Sequence, residues 1–139
     1  MILIKATKDT EAGVLPDERA FAEMGKFQEE LAKAGLLIGG EGAGLQPSSK
    51  GARLRCVNGK RMVIDGPFAE TKELVCGYGM WNVKSMEEAI DWVKRCPNPT
   101  GGDFEIEIRP IYEAGDLGPG LTPELKEKGA QLRKQLATE

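Results

Sequence analysis

Residues 74–84 read LVCGYGMWNVK, and this run predicts a β-strand that is apolar on both of its faces. Because side chains alternate along a strand, one face carries Val75, Gly77, Gly79, Trp81 and Val83. The other face carries Cys76, Tyr78, Met80 and Asn82. One layer of helices covers only one face of a sheet, so the other face needs a second cover, most economically a second copy of the sheet. The strand therefore predicts a homodimer.

The segments around this strand predict a ferredoxin-like order of elements. In chain order they are a strand over 1–7, a helix over 17–34, a strand from 36 to 38, a hairpin over 52–64, the strand over 74–84, a helix opening at 85 and a strand over 104–108. Ser85 begins a capping box, Pro97 ends the second helix, and residues 98–102 form a loop. The predicted fold class is α+β, a split βαβ arrangement with an antiparallel sheet.

Two short signals lie between the first helix and the 74–84 strand. Asn58-Gly59 between two β-type runs is the strongest local signal for a β-hairpin, which is inserted into the fold. The glycines at 39, 40, 42 and 44 resemble a phosphate loop only weakly, because no helix N-terminus or Lys-Ser/Thr follows them. A bent strand that another backbone approaches closely is the favoured interpretation.

The C-terminal segment lies outside this core. Residues 1–112 are predicted to form the domain, and residues 113–139 a tether followed by a tail helix. Thr122-Pro123 supplies an N-cap and a first-turn proline, and Leu125, Leu132 and Leu136 form a thin apolar stripe. A clamp on the body or on a partner is favoured over a loosely docked appendage, because Gly115 to Gly120 is a flexible tether.

Composition limits the function classes. The chain has 139 residues, of which 40% are hydrophobic, and this suits one globular domain. Its 19 basic and 22 acidic residues are scattered and give a net charge of −3, so nucleic acid is not an expected partner. No run is long and apolar enough to span a membrane, and the N-terminus does not resemble a signal peptide. A cytoplasmic location is expected.

The chain contains no histidine, and its three cysteines have no CxxC spacing. Ser-His-Asp and Cys-His catalysis are therefore excluded, and neither a zinc site nor a disulfide framework is predicted. We expect no metal and no cofactor. Any acid–base chemistry would use Asp, Glu, Lys, Tyr or Cys.

The run DGPFAETKE at residues 65–73 carries a family resemblance. With Gly77-Tyr78 and then SMEEAIDW at residues 85–92, it resembles the YCII-related DGPF-domain family over about residues 1–112. The resemblance implies a dimeric α+β barrel and mostly uncharacterised bacterial relatives, some of them associated with extracytoplasmic-function sigma factors. An Asp-His pair proposed as catalytic in shorter relatives has no counterpart in this chain, which lacks histidine.

The same motif supplies the candidate site residues. Asp65 and Glu70 are the candidate catalytic carboxylates, since burial against an apolar wall would raise the pKa of either one towards the range of a general base. The predicted ligand-binding residues are Asp65, Phe68, Lys72, Tyr78 and Arg109. Structural roles compete with these: an Asx turn at Asp65, a positive φ at Gly66 and anchoring by Phe68. Arg53, Arg55 and Arg109 suit an anionic ligand, although solvated arginines at a strand edge are more common.

Two functions remain open. The first is a homodimer that binds or responds to a small molecule, supported by the lack of a recognisable nucleophile and base. The second is a cofactor-independent isomerase, lyase or oxygenase that uses a loop carboxylate as its base, supported by analogy of fold alone.

Overall fold

The computed structural model describes residues 1–40, 42–98 and 101–136. It divides into two compact units, Met1–Arg109 and Pro110–Glu139. Glu41, the middle of the predicted 98–102 loop and the last three residues of the predicted tail lie outside the described residues.

The first unit contains a four-stranded antiparallel sheet and a separate hairpin. The strands are β1 (Ile2–Lys5), β2 (Ala43–Gly44), β3 (Ala52–Val57), β4 (Lys60–Asp65), β5 (Val75–Gly79) and β6 (Ile106–Ile108). The main sheet has the order β2-β5-β1-β6, and β3 pairs with β4 alone. The two central strands are therefore the first and third of the four core strands, which is the ferredoxin-like arrangement. This confirms the predicted α+β fold class.

The helices are α1 (Lys8–Glu11), α2 (Glu18–Lys33), α3 (Met86–Val93) and, in the second unit, α4 (Pro123–Leu136). Asp17 caps α2, because its carboxylate accepts a hydrogen bond of 2.8 Å from the Ala20 amide. Ser85 caps α3 through the Glu88 amide, whereas the Glu88 carboxylate accepts from Lys84 rather than from Ser85. The predicted starts of α2, α3 and α4 are confirmed to within a residue, α3 ends at Val93 before the predicted stop at Pro97, and α1 is an additional turn.

The core lies between α2, α3 and one face of the sheet. Phe27 and Leu31 of α2 are buried with Leu36, and Trp81 and Trp92 pack against them. The Phe27 ring makes an edge contact with Trp81 at a centroid distance of 6.1 Å. Phe27 and Leu31 therefore form the packing surface of α2.

The opposite face of the sheet is covered less. The pairing of Leu3 with Tyr78 and Glu107 places these three side chains on one face, away from the face of Gly79 and Trp81. Tyr78 is 40% exposed, and Lys5 forms an ion pair with Glu107 at 3.5 Å. This face is only partly buried.

The glycine-rich segment bends as expected. Leu37 makes a single bridge to Trp81, and a regular ladder resumes only at Ala43 and Gly44. A Cβ atom at Gly42 would lie 2.3 Å from the Tyr78 carbonyl oxygen, and Gly42 has a φ of +89°. Glycine is required there because the β5 backbone passes too close for any side chain.

The hairpin projects with both faces exposed. Asn58 and Gly59 have φ values of 50° and 74°, as a type I′ turn requires, so the predicted hairpin is confirmed. Leu54 pairs with Val63 across the ladder, and these side chains are 64% and 71% exposed. The hairpin therefore contributes little to the core of the first unit.

Candidate functional site

A cleft of about 600 Å³ opens in the first unit beside the loop that follows the hairpin. Its walls come from four places: Glu11 at the end of α1, the turn at residues 45–51, Arg53 with Phe68, and residues 73–75 at the start of β5. Clefts of this size are typical of sites for small ligands. The cleft is thus the leading candidate for a binding site.

Ser48 connects three of these segments. Its backbone amide donates to the two Glu11 carboxylate oxygens at 3.1 and 3.3 Å, and its hydroxyl donates to Glu11 Oε2 in a very short contact. Ser48 Oγ also accepts from the Phe68 amide at 3.0 Å. The contacts Glu11–Ser48–Phe68 hold the loop after β4 in place, and they occupy both carboxylate oxygens of Glu11.

Gly66 owes its identity to the same turn. A Cβ atom at Gly66 would lie 1.7 Å from the Ser48 carbonyl oxygen, and the Gly66 amide donates to Gly51 at 3.0 Å. A positive φ was the predicted reason for this glycine, and that reason is wrong, because Gly66 is not among the residues with positive φ. Close approach of two backbone segments is the cause.

The aromatic ring of the loop forms one wall of the cleft. The Arg53 guanidinium lies over the Phe68 ring at 4.0 Å from its centroid. A cation–π contact at this distance orients both side chains. Phe68 is half-buried, so it anchors the loop and still lines the cleft.

The remaining walls combine apolar and charged groups. Leu45, Pro47, Leu74 and Val75 provide apolar surface. Lys50 and Arg53 are the cations, and Glu11 and Glu73 are the anions. Polar groups set into a mainly apolar wall are the usual composition of a small-molecule site.

Of the residues predicted to bind ligand, Phe68 lines the cleft, and the other four do not. Asp65, at the end of β4, and Lys72 are exposed, and Tyr78 lies on the open face of the sheet. Arg109 donates to the Glu107 carboxylate at 3.0 Å, and this contact lowers the pKa of Glu107. A ligand-binding role for these four residues stays a prediction.

The candidate catalytic carboxylates are also outside the cleft. Asp65 and Glu70 are exposed, and Glu70 has a left-handed φ of 62° at the start of a 3-10 turn. Among the described residues, the predicted Asx-turn bond of Asp65 is not formed. The carboxylate inside the cleft that sequence reasoning missed is Glu11, which is brought to Ser48 from 37 residues away. No local pattern indicates such a contact.

Two thiols lie in shielded positions in this unit. Cys76 donates through Sγ to the Lys5 carbonyl at 3.4 Å, and burial is the main reason that its pKa is raised. Burial raises the pKa of Cys96 to about 11. Both thiols are therefore weakly reactive at neutral pH, whereas Cys56 on the hairpin is exposed.

Two features are absent from the parts of the chain that the structure describes. Over residues 1–40, 42–98 and 101–136, no cluster of three or more Cys, Asp or Glu side chains is placed to hold a metal ion. Within the same ranges, no helix has both the length and the apolar character that crossing a membrane requires.

The fold and the site define a class: a ferredoxin-like α+β domain with an inserted hairpin and an open cleft beside an Asp-Gly-Pro-Phe loop. The model of the YCII-related domain matches residues 1–114. An uncharacterized protein of Rhizobium meliloti (strain 1021) is 36% identical over 103 residues, which cover 73% of this chain and 82% of the relative. The chain belongs to the YCII-related domain family, as the motif at 65–73 predicted.

Proposed function

We propose that this protein is a homodimer that binds a small molecule in the cleft beside Phe68. The cleft carries the proposal, because it combines a suitable volume with an apolar wall and a few charged groups. Binding would act on the loop and on the hairpin together, since Arg53 and Phe68 belong to these two segments. Such a link between ligand and exposed hairpin suits a regulatory role.

Binding is favoured over catalysis by the state of the carboxylates. A general base needs a free oxygen that faces the substrate. Asp65 and Glu70 are exposed and lie outside the cleft, and both Glu11 oxygens already accept hydrogen bonds from Ser48. The other carboxylate that lines the cleft, Glu73, is exposed to solvent rather than enclosed beside the apolar wall. The Ser48 hydroxyl donates to Glu11 and accepts from the Phe68 amide, so both of its hydrogen bonds serve to hold the loop. The cofactor-independent enzyme is the less supported alternative.

The homodimer is supported by the open face of the sheet. Leu3 is half-buried and Tyr78 is 40% exposed on that face, although strands of this composition are usually covered on both sides.

Sedimentation should give twice the 15.1 kDa chain mass. Tyr78→Glu should dissociate the dimer, because it places a charge in the interface. A wild-type monomer at micromolar concentration contradicts this part of the proposal.

Ligand binding is tested by titrating small molecules against the amide resonances of the labelled protein. We expect hits to shift the amides of residues 45–51 and 66–75. Phe68→Ala should weaken binding about tenfold or more, because it removes half-buried aromatic surface from the cleft. Phe21→Ala is the matched control, since Phe21 is 60% exposed on α2 and does not line the cleft. Equal effects of the two variants refute this site.

A further inference from the structure

We propose that the ligand of the cleft is an organic monoanion with an apolar body, bound through its anionic group by Lys50 and Arg53. This inference rests on the proposed binding function and names the chemical class of the ligand. Three observations support it: the two cations have no ion-pair partner among the described residues, Arg53 lies over the Phe68 ring, and the walls around them are largely apolar.

Among the described residues, neither cation of the cleft has an ion-pair partner. Within residues 1–40, 42–98 and 101–136, seven other lysine and arginine side chains form ion pairs. Neither Lys50 nor Arg53 has a carboxylate oxygen within 4.0 Å in that part of the chain. Both line the cleft. An anion that entered would therefore gain their charge without breaking an existing pair.

The Phe68 ring holds Arg53 in place. The guanidinium carbon lies over the ring, 4.0 Å from its centroid, and this contact restricts the position of the side chain. The N–H donors of a guanidinium lie in its plane and remain accessible in this arrangement. A planar carboxylate fits such a fork with two parallel hydrogen bonds, and an oriented side chain loses less entropy on binding.

The surrounding charge favours an anion as well. Residues 50–65 contain five cationic residues and one anionic residue, although the whole chain has a net charge of −3. This concentration of positive charge on the hairpin attracts anions towards the cleft. Glu11 and Glu73 also line the cleft, so a second negative charge on the ligand would double the repulsion from these two carboxylates.

The apolar walls set the rest of the ligand. Leu74 is buried, Val75 is half-buried, and Leu45 and Pro47 extend the same surface. A ligand that was only a small ion would leave this surface in water. Each methylene that enters contributes about 0.8 kcal/mol, which is about a fourfold gain in affinity.

The probes that test this inference are hexanoate, octanoate, 1-octanol and octyl phosphate, titrated by amide shifts below their aggregation limits. We expect octanoate to bind about 16-fold more tightly than hexanoate, which has two methylenes fewer, and about tenfold more tightly than uncharged 1-octanol. We expect octyl phosphate to bind less tightly than octanoate. Tighter binding of octyl phosphate overturns the assignment of a single charge.

Variants separate the ligand class from the binding function. Arg53→Gln and Lys50→Gln should each remove most of the preference for octanoate over 1-octanol and leave 1-octanol affinity within about twofold. Arg55→Gln is the matched control, because Arg55 lies on the same face of β3 but does not line the cleft. If octanol binds as well as octanoate, the anion assignment fails while the binding function stands. If no probe and no library compound shifts the cleft amides, both fail.

Discussion

Replacement of Ser48 by alanine tests the contact that links α1, the 45–51 turn and the loop after β4. The variant loses the hydrogen bond from Oγ to Glu11, worth about 1 kcal/mol for two half-buried groups, and leaves the Phe68 amide without its acceptor, at a cost of about 1 kcal/mol. We expect a loss of about 2 kcal/mol in the free energy of unfolding. At about 4 °C per kcal/mol, the melting temperature should fall by about 8 °C.

A double-mutant cycle with Glu11→Ala isolates the contact between the two side chains. The Ser48 amide still donates to Glu11 in Ser48→Ala, so the coupling energy reports the hydroxyl bond alone, and we expect about 1 kcal/mol. Urea unfolding supplies the four free energies. Ser49→Ala is the matched control, because Ser49 is exposed in the same turn, and its effect should stay within about 0.5 kcal/mol. A coupling of zero, or equal effects of the two serine variants, refutes the linking role of Ser48.

Three further perturbations test the backbone and the thiols. In urea unfolding, Gly42→Ala should lower the free energy of unfolding by about 2 kcal/mol more than Gly40→Ala. Both glycines have a positive φ, but only at Gly42 would the new Cβ atom lie 2.3 Å from a backbone oxygen. Equal losses would show that the backbone moves to relieve this contact at no cost. Gly59→Ala, at a φ of 74°, should cost about 1 kcal/mol, and no loss would exclude the type I′ turn. Because burial raises the pKa of Cys96 from 9.0 to about 11, its thiolate fraction at pH 8 falls about 100-fold. Its alkylation, followed by mass spectrometry, should therefore lag far behind that of exposed Cys56 and rise about tenfold per pH unit up to about pH 11.

Much of the fold was predictable, because the signals are local. The capping residues Asp17 and Ser85 fix where two helices begin, and Asn58-Gly59 fixes the hairpin turn. The exact strand ends were less predictable. The run over 74–84 forms a regular strand only from Val75 to Gly79. On one side its neighbour is the bent glycine-rich segment, in which only Ala43 and Gly44 pair with it in a regular ladder.

The candidate site was harder to predict, because its contacts join distant parts of the chain. Phe68 was identified from its motif, but Glu11 and Ser48 are 37 residues apart, and each alone looks like an ordinary surface residue. The sequence alone allows two roles for Arg53: binding an anionic ligand, or facing solvent at a strand edge. Only the position of its guanidinium over the Phe68 ring distinguishes the two, and that position depends on how the hairpin meets the loop.

The Asp65–Phe68 motif is best explained as the part of the chain that shapes the cleft rather than as its chemistry. Gly66 allows the loop to lie against the Ser48 carbonyl, where any side chain would collide at 1.7 Å. That contact brings the Phe68 amide to Ser48 Oγ, and the Phe68 ring then meets Arg53. Each step depends on the one before it. Gly66 and Phe68 are therefore needed for the shape of the cleft although neither supplies a reacting group, since a side chain at position 66 would displace the ring that contacts the arginine.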